Sequence, residues 1–126
     1  MKLKKRIAAM GAAVVMAVSM MSIGASAYNV SETGLANFEW YKTSAMIKNN
    51  SNTSRYMETH INVYRDNTGE YVTTLSATAA GGYGTYAKKT NNYSASSYNF
   101  AMWGDIYNSS TPMSGLAWSS GYKYIG

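Results

Sequence analysis

Residues 55–80 place the tightest constraint on the fold. On either side of Asp66-Asn67-Thr68-Gly69, apolar and polar side chains alternate with the two-residue period of a strand. Asp opens a type I turn and Gly closes it. A left-handed Gly69 gives a three-residue loop with a G1 bulge. In that register Asp66 faces Glu70. Val63 with Thr73, Ile61 with Leu75, Thr59 with Ala77 and Met57 with Ala79 then share an apolar face. Tyr64 with Val72, Asn62 with Thr74, His60 with Ser76 and Glu58 with Thr78 make the polar face. A plain four-residue loop shifts the pairing by one and mixes both classes on both faces, so the sorting favours the bulge.

The rest of the chain reads the same way. Tyr, Thr and Val suit a pleated, half-buried surface, and strands are expected over residues 38–47, 55–65, 70–80, 83–88, 98–107 and 116–125. Asn-, Ser- and Thr-rich gaps separate them. Gly81-Gly82-Tyr83-Gly84 follows a strand with no helix behind it, so it reads as a bend between strands and not as a phosphate cradle. Segment 98–107 carries large aromatic groups on both faces, with Gly104-Asp105 as a bulge or bend. Trp40, Trp103 and Trp118 are expected in the core or at its edge. The expected fold class is all-β: a single small antiparallel β-sandwich of about six to seven strands over residues 28–126.

Residues 1–27 have the organisation of a secretory signal peptide. Lys2-Leu3-Lys4-Lys5-Arg6 precedes an apolar run over 7–23, and Ala25-Ser26-Ala27 supplies the small residues that a signal peptidase accepts. Gly11, Ser19, Ser22 and Gly24 dilute that run, whereas a stable span wants ~20 strongly apolar residues. Cleavage is expected between Ala27 and Tyr28. The mature chain is then secreted and extracellular, and the lysine-heavy leader and missing cysteines suggest a Gram-positive bacterium. The leader holds four basic residues and no acid, leaving seven basic against six acidic side chains beyond it. That near balance argues against nucleic acid as a partner and against a cationic membrane-lytic mode, so no stable membrane insertion is expected after cleavage.

Chemistry is sparse. With no Cys there is no thiolate nucleophile or Cys-ligated metal, and a single His removes multi-His sites. Ser76, His60 and Glu58 share one face in the hairpin register, but a flat, solvated sheet face offers neither oxyanion donors nor desolvation. None of the six acids has an evident apolar pocket to raise its pKa. Asp66-Asn67-Thr68-Gly69-Glu70 has a calcium-loop look but is explained by its turn. No catalysis, metal or cofactor is expected, and a small secreted hydrolase is disfavoured. Tyrosine stands out: all twelve lie beyond residue 27. Tyr gives contact area at low entropy cost, so Tyr56, Tyr64, Tyr83, Tyr86 and Tyr93, with His60, are the candidate binding residues. The partner class is a cell-envelope glycan or a protein.

Thr59-His60 followed by Val63, then Asn67-Thr68-Gly69, Ala80-Gly81 and the Tyr98…Trp103 aromatic end resembles the lactococcin-like secreted bacteriocins. The likeness covers residues 55–105. It implies an exported, cysteine-free β-sandwich that acts on the envelope of competing cells. The chain departs from that family after the leader, where Tyr28-Asn29-Val30 replaces a Gly-Gly-Thr-Trp-like segment, and no functional residue is carried over.

We predict that the exported protein begins at Tyr28. N-terminal mass analysis of culture supernatant checks this, and a membrane-retained chain with Met1 intact contradicts it.

Overall fold

A computed structural model describes residues 29–126. Residues 1–28, and with them the expected leader and its expected cleavage point after Ala27, lie outside the described residues. Strands β1 (Asn29–Glu32), β2 (Ala36–Tyr41), β3 (Ser44–Asn49), β4 (Arg55–Arg65), β5 (Tyr71–Gly81), β6 (Tyr86–Thr90), β7 (Tyr98–Tyr107), β8 (Leu116–Ser119) and β9 (Lys123–Ile125) follow in order. One sheet runs β1-β2-β3-β6. The other runs β5-β4-β7-β8, with β9 also on β7. Every pairing is antiparallel, so the expected all-β sandwich is what forms, with more and shorter strands than anticipated.

The two inner faces make the core. Phe38 and Ile47 from the first sheet, and Met57, Ile61, Val63, Phe100, Met102 and Ile106 from the second, are fully buried, each contributing roughly 1.5–3 kcal/mol. Thr59 is the polar member of this face. Its hydroxyl donates to the Ala87 carbonyl across the sandwich at 2.8 Å, so it is buried but satisfied. Beside it, Gly104 lets the sheets close. A Cβ there would come within 2.9 Å of Phe38 Cδ1 and 3.0 Å of Ile47 Cβ.

The β4–β5 register is as expected from Met57 opposite Ala79 up to Val63 opposite Thr73. The tip is not. Arg65 N–H donates to Glu70 O, and Gly69 N–H donates to Arg65 O, so Arg65 and not Asp66 faces Glu70 across a four-residue loop. Gly69 is left-handed (φ 79°) as required. The one-residue offset is absorbed where the ladder skips Val72, which leaves Tyr64 opposite Tyr71 instead of Val72. The bulge sits in the strand and not at the turn, and the facial sorting survives because of it.

Three further expectations change. Residues 38–47 are a hairpin and not one strand: Lys42 and Thr43 turn the chain between Tyr41 and Ser44. Those two residues carry no turn signal. Distant Asn91 holds both their carbonyls instead, with its N–H on Thr43 O and its Nδ2 on Lys42 O, each at 2.8 Å. Gly81-Gly82-Tyr83-Gly84 is the expected bend, a corner between the sheets, but the strand expected from residue 83 starts later. Gly84 (φ 87°) donates to Asn49 O and Thr85 O accepts from Asn49 N–H, and β6 begins only at Tyr86. Residues 116–125 break into β8 and β9 because Ser120 caps Gly104 from both sides of the peptide. Its N–H donates to Gly104 O and its Oγ accepts from Gly104 N–H, both at 2.9 Å.

Gly104→Ala should destabilise by ~1–3 kcal/mol, the cost of overpacking a closed core. Gly34→Ala, with nothing within 4 Å of the added carbon, should stay within about 0.5 kcal/mol of wild type. Urea midpoints compare them, and equal midpoints would mean that Gly104 is not the closest approach of the sheets.

Candidate functional site on the outer face of β4 and β7

The ladder that builds the core also builds its reverse side. β4 pairs with β7 so that Glu58 lies opposite Asp105, His60 opposite Trp103, Asn62 opposite Ala101 and Tyr64 opposite Asn99. These side chains point away from the first sheet, because successive residues of a strand alternate faces.

His60 is the hinge of the arrangement. Its Nδ1 is 2.8 Å from Ser76 Oγ on β5, and its Nε2 is 3.0 Å from Glu58 Oε1. Its ring stacks on Trp103 at 4.8 Å between centroids, and Trp103 and Tyr122 meet in a T-shaped contact, also at 4.8 Å. The His60 and Glu58 side chains are only 19% and 21% exposed. The sequence pointed to a half-exposed His on a flat, solvated face; the structure gives it a wall, because Trp103 lies on this outer face and not on the inner one.

Glu58 is ringed by hydroxyls. Tyr107 OH lies 3.5 Å from its Oε1, and Tyr56 also bonds to it while meeting the Tyr107 ring edge-on at 5.3 Å. Burial, then the Glu58 charge, pushes the Tyr107 phenol up to about 12 and raises Tyr56 as well. Both therefore stay neutral donors. Asp105, opposite Glu58, is held above the usual carboxylate range by burial first, while hydrogen bonds from Ser119 and Trp103 and the nearby His60 pull the other way. This corrects the expectation that none of the acids would be desolvated. Donor atoms of Glu58, His60 and Asp105 lie within 4.8 Å of one another.

The six tyrosine and histidine candidates scatter. Tyr56, His60 and Tyr64 lie on this face, half-buried, with Tyr64 edge-on to Tyr71 at 6.0 Å. Tyr83 is 71% exposed on the inter-sheet corner. Tyr86 and Tyr93, expected to be exposed, are partly buried against the core, and burial pushes the Tyr86 phenol up to about 12. Trp103, Asp105, Tyr107 and Tyr122 were missed. Their signal was in the sequence only once the β4–β7 register was known. A separate polar cleft lies between the hairpin tip and the turn before β7, lined by Arg65, Asp66, Asn67, Ser96, Ser97 and Tyr98.

Ser76, His60 and Glu58 do form a hydrogen-bonded row. Among the described residues the strand N–H groups around Ser76 lie in the plane of the sheet and not out of its face. The row orients an imidazole. Comparison with family models, curated proteins and solved structures gives no match, so the site is read from its own geometry.

A raised Asp105 means that the folded protein holds this proton more tightly than the unfolded chain. Its contribution favours folding at low pH and is lost as pH rises through the raised pKa. Asp105→Asn should therefore stabilise at pH 7 by roughly 0.2–1 kcal/mol, the range for relieving like charges directly opposite in a sheet. The gain should shrink where Asp105 is protonated. Urea midpoints at neutral and acidic pH test this, and a less stable variant at pH 7 contradicts it.

Proposed function

We propose that this is an exported, non-catalytic β-sandwich protein that works by surface recognition, with envelope glycans as its ligand class and the outer face of β4 and β7 as its binding surface. The observation that carries the reading is the row of aromatic rings there. Tyr56, Tyr107, His60, Trp103, Tyr122 and Tyr124 lie along one sheet face, and hydrogen-bonding groups (Glu58, Asp105, Asn62, Ser76) sit between them. Sugar rings present an apolar face to stack on and hydroxyls to bond, which suits aromatic planes interleaved with carboxylates and amides. Tyr122 and Tyr124 are exposed, so the row is open to solvent at one end.

The bacteriocin-like alternative shares the export and the envelope target and differs in consequence. Inhibition of neighbouring bacteria by the purified protein would favour it. Among the described residues no helix is long and apolar enough to cross a membrane.

On an array of glycans and peptidoglycan fragments, Tyr122→Ala and Trp103→Ala should each weaken binding by ~1–3 kcal/mol, as aromatic anchors do. Tyr83→Ala, on the corner, should leave it unchanged. Full binding by both of the first two variants would overturn the assignment of this face. Substrate turnover lost in His60→Ala would overturn the non-enzyme reading.

A further inference from the structure

Two carboxylates directly opposite each other in an antiparallel pair repel, and Glu58 and Asp105 are such a pair, both partly buried. A single imidazole, that of His60, shares this face with them, its Nε2 3.0 Å from Glu58 Oε1. His60 is held from its other nitrogen, with Nδ1 2.8 Å from Ser76 Oγ of β5. Asp105 takes hydrogen bonds from Ser119 of β8 and from Trp103, and Tyr107 OH of β7 lies 3.5 Å from the Glu58 oxygen that faces His60. Fixing a ring from its other atom is how metal sites set ring orientation and tautomer. Here the supports come from ladder positions rather than a mobile loop.

We propose that Glu58, His60 and Asp105 bind one divalent transition-metal ion of the zinc class through a carboxylate oxygen, imidazole Nε2 and a carboxylate oxygen. His60 Nε2 and Glu58 Oε1 are already 3.0 Å apart, and all three donors fall within 4.8 Å of one another. Tetrahedral zinc with bonds near 2.0–2.2 Å wants ligand atoms about 3.3 Å apart, so a small inward turn of the Asp105 side chain completes the set. One nitrogen and two oxygens suit zinc better than calcium, which takes 6–8 oxygens. On the ion, the imidazole proton sits on Nδ1 and is donated to Ser76 Oγ, so that the Nε2 lone pair is free. The Ser76 hydroxyl is then the acceptor of the 2.8 Å contact. The ion neutralises the opposed carboxylates and keeps a fourth position for water or a ligand oxygen. The site stands on these contacts whether or not the aromatic row binds glycan.

The test is zinc binding to the purified, chelator-stripped protein, read by native mass spectrometry and calorimetry, with calcium and magnesium as competitors. We expect one zinc per chain, no displacement by the other two ions, and quenching of Trp103 fluorescence by cobalt at the same stoichiometry. His60→Ala and Asp105→Asn should each remove stoichiometric binding. Ser76→Ala should weaken it about 10–100-fold, as losing a supporting contact does. Asp105→Asn keeps the test sound, because it should fold at least as stably as wild type. Absence of stoichiometric zinc, or binding unchanged in both His60→Ala and Asp105→Asn, would overturn the proposal.

Discussion

The register between β4 and β7 is the constraint on which everything else rests. It places Met57 against Ile106, Ile61 against Met102 and Val63 against Phe100 on the inside, and Glu58 against Asp105 and His60 against Trp103 on the outside. A slip of one residue would exchange the faces of one strand against the other, pushing carboxylates into the core and methyl groups into solvent. Core and site are thus two sides of one hydrogen-bond ladder. Gly104 belongs to both: its missing side chain lets Phe38 and Ile47 close on the inner face, and its peptide holds Ser120 where β8 gives way to β9.

The outer face of β7 is also where the structure tolerates what it avoids elsewhere. Asp105 is desolvated opposite another carboxylate. Asn99, six residues away on the same face, buries an amide Nδ2 with no hydrogen-bond partner, a cost of about 1–3 kcal/mol. Among the described residues the other buried polar side chains are met: Thr59 by Ala87, Asn49 by Thr53 and Gly81, Asn91 by Lys42. Local conflicts gathered on one face of an otherwise consistent fold are the usual mark of a working surface.

The sequence showed what depends on neighbours along the chain. The alternation through 57–63 and 73–79 stated the hairpin's faces, and β4 and β7 have the expected limits. It hid what depends on distant partners. The turn at Lys42 and Thr43 is written in Asn91, and the break between β8 and β9 in Gly104. Trp103 was expected in the core or at its edge and packs partly buried at that edge, but a strand with aromatics on both faces does not say which side is inside. Asp105 joined the site only through a pairing with Glu58, 47 residues earlier in the chain, and its Gly104-Asp105 context read as a bend. Even the hairpin tip misled, since Asp66 and Gly69 fit a three-residue and a four-residue loop alike and the deciding bulge lay at Val72.

The central claim is that the outer face of the β4–β7 ladder is the working surface. Amide and indole NMR shifts recorded while the purified protein is titrated with peptidoglycan fragments test it most directly. The largest changes should fall on the Trp103 indole and on the amides of Glu58, His60, Asp105 and Tyr122, with the β1-β2-β3-β6 sheet silent. Changes confined to residues 83–93 or to the cleft at the hairpin tip, or none at saturating ligand, would contradict it.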